Sequence, residues 1–445
     1  MGKVFGGNGH TVHCHDELRV ALRAAQKAQV FTVIAAVIEK VTMMAEFNAS
    51  SETPTALGDI FVLDLSRILA GPTATQLLGD FGATIIKVEN PKTGGDDTRG
   101  WGPNFAKNPD GTSSDLSAYF MAANRNKQSI AVDISTQEGQ AVIHQLAARA
   151  DIIIENYKPD GLVKYGLDHK SLMKAHPSVV YCSISGFGQT GPNRDQPGYD
   201  LMAQGFGGVM SLTGDPEGVP TKVGVGIADV MCGMYATIGI LAALRHRDKT
   251  GEGQHIDLSL VDASMAWLIN EGTNYLTSGN APIRRGNAHP NIVPYDAFAA
   301  SDGHILVAVG NDSQFARFCD VIGRLDLGAE DKYKTNSGRI EHRETLIPQL
   351  RETLAKLTKA EILEKLQSVK VPVGPIHTVD EALNSDQATA RGTIVDVVAD
   401  GIDGGNVQLL GNPLKLSRTP VQYRSAPPRC GQDTDSILET LKTPR

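Results

Sequence analysis

The sequence predicts an α/β protein with a large Rossmann-like domain, built on a mostly parallel sheet, and a smaller α+β domain. Three observations support this prediction. Apolar runs alternate with helical segments from residue 57 to about residue 260, the pattern changes after Pro282, and the composition is that of a globular protein. The chain has 445 residues, 41% hydrophobic and 21% charged, which is ample material for a large core.

Short apolar runs rich in β-forming residues predict strands in the first part of the main body. They lie at residues 60–65, 84–89, 129–134, 151–155, 179–184 and 254–260. The intervening segments predict helices, among them residues 73–81, 137–150 and 230–245. Strands that alternate with helices predict βαβ units, and therefore a mostly parallel sheet.

The sequence after Pro282 has a different texture. A hairpin is predicted over residues 295–309, with its turn at Asp302-Gly303. Apolar residues spaced by three or four positions predict helical structure, for example over residues 347–366. Two further strands are predicted near the end, at residues 394–398 and 407–410. These features predict the second, smaller domain.

Charge and cysteine usage exclude several classes of protein. The net charge is −8, which gives no reason to expect binding to nucleic acid or to an anionic membrane. No apolar run reaches the roughly 18 residues that a membrane span needs. The five cysteines are scattered without a CxxC pair, which favours a reducing compartment. Residues 1–56 carry as many acids as bases, unlike a mitochondrial presequence. We expect a cytoplasmic protein, with the mitochondrion as the alternative.

Each of two motifs has an ordinary structural explanation. Residues 186–191 match GxGxxG after a strand, but Pro192 follows, so that no helix N-terminus is available for a pyrophosphate. A glycine-rich active-site loop is the better interpretation. His10, His13, Cys14 and His15 resemble a metal cluster, yet alternation along a strand would separate them, and we expect a surface strand and no metal site.

The segment Gly224-Val-Gly226-Ile-Ala-Asp229 lies just before a long predicted helix. Small residues let a ligand approach the backbone closely. An aspartate at the start of a helix is commonly its N-cap, and from spacing alone that role is the more frequent one. The alternative is that Asp229 carries chemistry.

Many stretches in order resemble the class III CoA-transferases, the family of formyl-CoA transferase and carnitine CoA-transferase. The resemblance covers residues 57–438. Its motifs are Leu63-Asp-Leu-Ser-Arg67-Ile-Leu-Ala-Gly71-Pro72, Asp96-Asp-Thr-Arg99-Gly-Trp101, Asn124-Arg125-Asn-Lys127, Ile154-Glu155-Asn156-Tyr157, Gly186-Phe-Gly188-Gln-Thr-Gly191-Pro192, Pro197-Gly-Tyr199-Asp200 and the Asp229 segment.

This resemblance implies an interlocked homodimer in which each subunit is threaded through the other. It implies a large CoA-binding domain over residues 57–260, a linker over 261–289, a small domain over 290–385 and a return to the large domain over 386–445. Asp229 would be the nucleophile. A CoA thioester would be a substrate, with no permanently bound cofactor. The implied CoA contacts are Arg67, Leu69, Ala70, Asn90, Val132, Asn156, Tyr157 and Lys164.

The sequence departs from the formyl-CoA transferase pattern. Leu69 replaces a glutamine, Asn90 replaces an arginine, and the polyglycine loop is absent. Arg285-Gly-Asn-Ala-His289-Pro in its place looks more like the succinate–hydroxymethylglutarate (glutarate) CoA-transferase subgroup. Arg285 and His289 are therefore candidates to hold the distal carboxylate of an acceptor acid, since an arginine can bind one bidentately. Tyr199 and Asp200, in the motif after the glycine-rich loop, are the other two candidate substrate residues. A purely structural loop is the alternative.

The N-terminal residues 1–45 resemble something else. A strand, a helix at residues 16–28 and a strand at 31–38 look like the end of a thiamine-diphosphate enzyme such as oxalyl-CoA decarboxylase. A piece of this size cannot fold as that domain. We expect a remnant without activity, joined by a linker at residues 46–56.

The predicted reaction moves CoA from succinyl-CoA to a small dicarboxylic acid through an aspartyl-CoA thioester. Transfer between formyl-CoA and oxalate is one alternative. Another is an α-methylacyl-CoA racemase, which needs a second base where this chain has Tyr199, with Asp200 beside it. A CoA-binding protein without turnover is a third, although it would not need Asp229.

Overall fold

The computed structural model describes residues 8–12, 32–36 and 54–442. Two short N-terminal strands, β1 (Asn8–Val12) and β2 (Thr32–Ala36), pair in parallel. The second one confirms the strand predicted at residues 31–38. The helix predicted at 16–28, and the cluster residues His13, Cys14 and His15, lie outside the described residues.

A six-stranded parallel sheet forms the centre of the large domain, and every strand predicted for it is present. A polar antiparallel ribbon, which the apolar pattern did not predict, precedes its third strand in the chain. The sheet order is β10-β9-β8-β3-β4-β7. The strands from β3 onward are β3 (Phe61–Asp64), β4 (Thr84–Glu89), the ribbon β5 (Phe105–Lys107) and β6 (Ser113–Ser117), β7 (Lys127–Ala131), β8 (Ile152–Glu155), β9 (Val180–Ser185) and β10 (His255–Ser259).

Helices cover both faces of this sheet, and its central strands β4, β3, β8 and β9 are therefore buried at every position. One face packs against α1, α7 and α8, and the other against α3 and α4. The helices of this part are α1 (Ala70–Asp80), α2 (Ala118–Met121), α3 (Gln137–Ala147), α4 (His169–Ala175), α5 (Asp200–Phe206), α6 (Val209–Leu212), α7 (Ile227–Thr250), α8 (Leu260–Ala266) and α9 (Ile269–Ser278).

Helix α7 is longer than the predicted 230–245. In the described part of the chain it is the one helix long and apolar enough to cross a membrane, by length and composition alone. Its residues Cys232, Ala236 and Ile240 are packed in the core beneath the sheet. A core helix passes the same test, so this is weak evidence for a membrane span. Residues 261–289, predicted as a linker, contain most of α8 and all of α9.

The small domain has its own core, in which Phe298, Phe315, Phe318 and Leu350 are buried. The predicted hairpin is confirmed as β11 and β12, with Gly303 at its turn. The elements are β11 (Tyr295–Ala300), β12 (Gly303–Ala308), α10 (Asp312–Val321), α11 (Leu325–Ala329), α12 (Asn336–Glu341), α13 (Arg343–Leu354), α14 (Lys359–Ser368), β13 (Val373–Pro375), α15 (Val379–Leu383) and α16 (Asp386–Arg391).

The helical stretch predicted at residues 347–366 is divided between α13 and α14. Thr358 and Glu361 form a capping box, in which each side chain accepts a hydrogen bond from the other residue's backbone N–H. This box starts a new helix, because it satisfies N–H groups that a helix end leaves free.

The C-terminal part returns to the parallel sheet. Strands β14 (Ile394–Val398) and β15 (Asn406–Leu410) confirm the two predicted strands and pair antiparallel. Helix α17 (Thr434–Lys442) then packs its buried Ile437 in the same core as α3.

Candidate active site

The order of the strands creates a crevice at the carboxyl edge of the sheet. Strand β3 has β4 on one side and β8 on the other, so the connections that follow β3 and β8 diverge. Ligands of open α/β sheets bind at such a switch point. Asn156, after β8, bridges the crevice: its Oδ1 accepts from the Arg67 N–H at 2.9 Å and its Nδ2 donates to the Arg67 carbonyl at 2.7 Å.

Two cavities meet at this crevice. The inner cavity, of about 260 Å³, is lined by Arg67, Ala70, Asn156, Tyr157, Tyr199 and Asp229 among others. The outer cavity, of about 370 Å³, is lined by Arg67, Asn90, Lys92, Val132, Tyr157 and Lys164 among others. Because Arg67 and Tyr157 border both, the two form one groove. All but one of the predicted CoA contacts line this groove. Its outer part contains three cations that suit an anionic ligand, Arg67, Lys92 and Lys164, beside the acids Glu89 and Asp133.

Leu69 is the predicted contact that lines neither cavity. It lies at the N-terminus of α1, and its side chain packs against Gly226, just before α7. A Cβ atom on Gly226 would lie 3.1 Å from Leu69 Cδ2. Leu69 therefore contacts the start of the helix that carries Asp229.

Asp229 is in the first turn of α7 but does not cap it. The cap position is Gly226, without a side-chain hydrogen bond. Asp200 takes the capping role instead, since its Oδ1 accepts from the Ala228 N–H at 2.8 Å. In the described part of the chain, the Asp229 carboxylate has no hydrogen bond or ion pair, and Asp229 lines the inner cavity. The N-cap interpretation of Asp229 is wrong.

The environment of Asp229 makes its carboxylate more basic than usual. Burial raises the pKa of Asp229 to about 7, and the neighbouring charge of Asp200 adds to the shift. A poorly solvated carboxylate without a hydrogen-bond partner has no such bond to break when it attacks an electrophile. The arrangement is that of a nucleophile or a general base.

Close packing of α7 on α1 fixes the position of Asp229. Gly233, one turn after Asp229, lies against the first turn of α1, and a Cβ atom there would be 2.6 Å from the Ala70 carbonyl oxygen. The absent side chain lets the two helices approach, which brings Asp229 to the same cavity as Ala70.

We expect Gly233→Ala to push α7 away from α1, lowering the free energy of unfolding by about 1–3 kcal/mol. Turnover should fall about tenfold or more, because small displacements of a reacting group are costly. Gly239→Ala on the same helix is the control: its Cβ would meet Ile256 at an ordinary 3.6 Å. It should leave turnover unchanged and stabilise slightly. Equal turnover in the two variants would contradict this account of Gly233.

The glycine-rich loop closes the inner cavity from the other side. Gly186 and Gly198 pack backbone against backbone, and both line the cavity. The next helix after residues 186–191 begins only at Asp200, which confirms that this GxGxxG is not joined to a helix N-terminus. The described residues contain no cluster of His, Cys, Asp and Glu with metal-binding geometry.

The four predicted substrate residues fall into two groups. Tyr199 borders the inner cavity and is 64% exposed, while both carboxylate oxygens of Asp200 are engaged, by Ala228 and by Gln204. Arg285 and His289 line neither cavity. Arg285 binds Glu271 at 3.1 Å, and the His289 ring packs against Tyr295. In the described chain these two belong to a loop with its own contacts.

Tyr119 is a residue of this region that the motifs did not single out. It lies on α2 and packs edge-to-face on Trp101. Burial raises the pKa of the Tyr119 phenol, and the negative charges of Asp229 and Asp200 raise it further. The Tyr119 phenol therefore interacts electrostatically with Asp229, although 110 positions separate them in the sequence. A residue on a single helical turn after a polar ribbon leaves no periodic signal that could have revealed it.

Comparison with known proteins agrees with this geometry. The model of CoA-transferase family III matches residues 57–434. Succinate–glutarate CoA-transferase of Agrobacterium fabrum is 45% identical over 387 residues, covering 87% of this chain and 96% of that protein. Human succinyl-CoA:glutarate CoA-transferase is 39% identical over 385 residues, covering 86% of each. The crystal structure of a CAIB/BAIF family protein from Brucella suis has 43% identity and a TM-score of 0.76, covering 87% of this chain and 99% of that one. The chain belongs to CoA-transferase family III.

Proposed function

We propose that this enzyme transfers CoA from succinyl-CoA to glutarate or a closely similar dicarboxylate, and that Asp229 is its nucleophile. The observation that carries the proposal is the unpaired Asp229 carboxylate, with its raised pKa, at the inner end of the groove. The relatives named for succinate–glutarate transfer, which align along most of the chain, support the substrate pair.

The chemistry follows from a carboxylate facing a thioester. Asp229 Oδ attacks the carbonyl carbon of succinyl-CoA, and the C–S bond breaks to give an aspartyl–succinyl anhydride and CoA thiolate. The thiolate attacks the aspartyl carbonyl, which forms the aspartyl-CoA thioester and releases succinate. The acceptor carboxylate then attacks this thioester and expels the thiolate, which adds to the acceptor's carbonyl in the new anhydride and frees Asp229. Covalent catalysis divides one difficult exchange into easier ones.

The groove offers suitable places for both ends of CoA. Lys92 and Lys164 in the outer cavity, with Arg67 at the junction, can neutralise the phosphates. Arg67 is held by Asp97 at 2.8 Å, and its guanidinium lies 6.0 Å from the Tyr157 ring centroid. The pantetheine arm would then pass Asn156 and Tyr157 and bring the thioester into the inner cavity, beside Asp229.

A racemase is the weaker candidate, since proton exchange at the α-carbon needs a second base opposite the first. The exposed Tyr199 stands where that base is expected, and Asp200 is occupied in capping α7. Transfer between formyl-CoA and oxalate is also less well supported, because Leu69 and Asn90 replace the glutamine and arginine of that pattern.

We also propose a homodimer. Large apolar side chains are exposed on three helices of the large domain, and burial of such side chains against a second copy would remove them from water. The exposed side chains include Leu201, Met202 and Phe206 on α5, Met234, Ile238 and Leu241 on α7, and Tyr275 and Leu276 on α9. A mass of one chain by light scattering would contradict this proposal. The cytoplasmic location stays a prediction from composition.

The proposal is tested with a panel of acceptor acids and purified enzyme. With succinyl-CoA as donor, we expect glutarate and similar dicarboxylates to be converted to their CoA esters, and monocarboxylates such as carnitine to be poor acceptors. A chiral 2-methylacyl-CoA in deuterated water should take up no α-deuterium. Turnover only with monocarboxylates would refute the dicarboxylate assignment, and rapid deuterium uptake without an acceptor would indicate a racemase.

A further inference from the structure

Ile68 has an unusual backbone conformation at the centre of the groove. Its φ angle is +72°, in the left-handed region that a β-branched residue rarely occupies. Such a conformation costs on the order of 1–3 kcal/mol and persists only where surrounding contacts impose it. Ile68 lines the inner cavity and lies between Arg67 and Leu69 in the turn from β3 to α1.

Buried side chains hold the backbone on the N-terminal side of Ile68. Lys87 Nζ donates to the Ser66 carbonyl at 2.9 Å. The next two backbone polar groups, the N–H and the carbonyl of Arg67, are both hydrogen-bonded to the Asn156 side chain. These bonds come from strand β4 and from the end of β8, and none of them belongs to a helix or a sheet ladder.

Asp96 holds Ile68 itself. Its two carboxylate oxygens accept from the Ile68 N–H at 3.2 and 3.3 Å. The carboxylate is fixed in turn by Lys87 Nζ at 2.9 Å and by the Thr98 hydroxyl at 2.8 Å. Lys87, Asp96 and Asn156 therefore form a backbone clamp that bonds four successive polar groups of the turn.

The charged part of this clamp is costly to bury. Lys87 is fully buried and Asp96 nearly so, and a buried ion pair contributes no more stability than a well-packed apolar pair in many proteins. Burial acts to raise the pKa of Asp96, but Lys87 and Thr98 outweigh it and hold the pKa at about 2. Asp96 is therefore an anion at neutral pH. Unlike apolar residues, Lys87 and Asp96 form hydrogen bonds to the backbone of the turn, and these bonds fix its conformation.

We propose that Lys87 and Asp96 are positioning residues for CoA transfer, and that the backbone clamp keeps Ile68 left-handed so that the turn presents the CoA thioester to Asp229. This inference rests on the proposed function. The turn and Asp229 border the same cavity, so a relaxed Ile68 would move the wall against which the thioester lies. Misplacement of reacting groups by about 1 Å can cost on the order of a hundredfold in rate.

A double-mutant cycle tests the clamp. Asp96→Asn removes the charge that holds Lys87, and its amide offers one oxygen instead of two, so its NH2 group faces the Ile68 N–H as a second donor and the hold on Ile68 is weakened. We expect kcat to fall about tenfold or more, with a smaller change in KM for succinyl-CoA. Glycine adopts the left-handed conformation without help. In the Ile68→Gly background, which loses a lining side chain and some activity of its own, Asp96→Asn should therefore lower kcat only about threefold or less.

Lys370→Gly provides the matched background. Lys370 also has a positive φ, of 56°, but lies in the small domain after α14. In the Lys370→Gly background, Asp96→Asn should lower kcat as much as it does in the unmodified enzyme. If Asp96→Asn does not fold, Thr98→Val, which removes only the hydroxyl bond to Asp96, takes its place with a smaller expected loss. An equal loss in all three backgrounds overturns the clamp while leaving the transferase intact. Absence of CoA transfer in the unmodified enzyme refutes the proposed function instead.

Discussion

Asp229→Asn is expected to lower CoA transfer by about a thousandfold or more, since removal of a catalytic nucleophile has effects of this size. The asparagine keeps the shape of the side chain but cannot form the anhydride. Asp248→Asn, on an exposed residue in the last turns of the same helix, is the control and should transfer CoA at the normal rate. Succinyl-CoA consumption followed by liquid chromatography measures both. A variant that retains more than about a tenth of the activity would exclude Asp229 as the nucleophile.

The same substitution should stabilise the protein, and the effect depends on pH. The pKa of Asp229 rises from its ordinary 3.8 to about 7 on folding, so between these values the folded protein binds more protons than the unfolded chain. The unfolding free energy of the native enzyme therefore falls as pH increases through this window. Asp229→Asn removes this pH-dependent loss. Because the Asp229 side chain is partly exposed, we expect the variant to be only about 1–3 kcal/mol more stable than the native enzyme at pH 8. Below pH 4 the two should be equally stable. Thermal melts at the two pH values measure the difference.

Arg99→Met is expected to cost about 3–5 kcal/mol of unfolding free energy, because it leaves the buried Glu89 carboxylate without its cation. Arg99 binds Glu89 through Nε at 2.8 Å and Nη2 at 2.6 Å, and its guanidinium stacks 3.8 Å from the Phe120 ring centroid. Burial acts to raise the pKa of Glu89, but its bonds and the charges of Arg99 and Lys87 hold the pKa below its usual range. Methionine keeps much of the packing on Phe120 and removes the charge.

Lys356→Met is the matched change at an exposed ion pair. Lys356 contacts Glu352 one helical turn away, and both side chains are at least 70% exposed. Its loss should change the unfolding free energy by about 0.5 kcal/mol or less. Urea denaturation of the two variants compares them directly. Arg99 also donates to the Pro428 carbonyl, which indicates that the buried pair attaches β4 to the C-terminal segment. If Arg99→Met cost as little as Lys356→Met, this role would be contradicted.

Apolar patterns in the sequence predict those parts of the fold in which the apolar residues are buried in the core. Four of the six sheet strands, β3, β4, β8 and β9, are buried at every position, and apolar runs such as residues 60–65 predict them. Strand β6 of the ribbon (Ser113–Ser117) is polar, so no apolar run in the sequence predicts it. The resemblance implies a linker over residues 261–289, but this segment contains most of α8 and all of α9, whose Ile269, Tyr275 and Leu276 are exposed.

The site shows the same limit more sharply. Resemblance of motifs points to Asp229 and to the predicted CoA contacts, and all of these except Leu69 line the groove. It did not reveal that Asp200 caps α7, because that bond joins residues 28 positions apart. Nor did it reveal that Ile68 is left-handed, since isoleucine in a sequence predicts the opposite. Contacts between distant residues, and a conformation imposed against local preference, have no local signal.

Chemical trapping of the covalent intermediate tests the central claim most directly. The enzyme is incubated with succinyl-CoA and hydroxylamine, which converts an aspartyl thioester or anhydride to a hydroxamate, and is then digested and analysed by mass spectrometry. We expect the hydroxamate on Asp229, only when succinyl-CoA is present, and not in a sample of Asp229→Asn. Full transferase activity with Asp229 unmodified under these conditions would contradict the account.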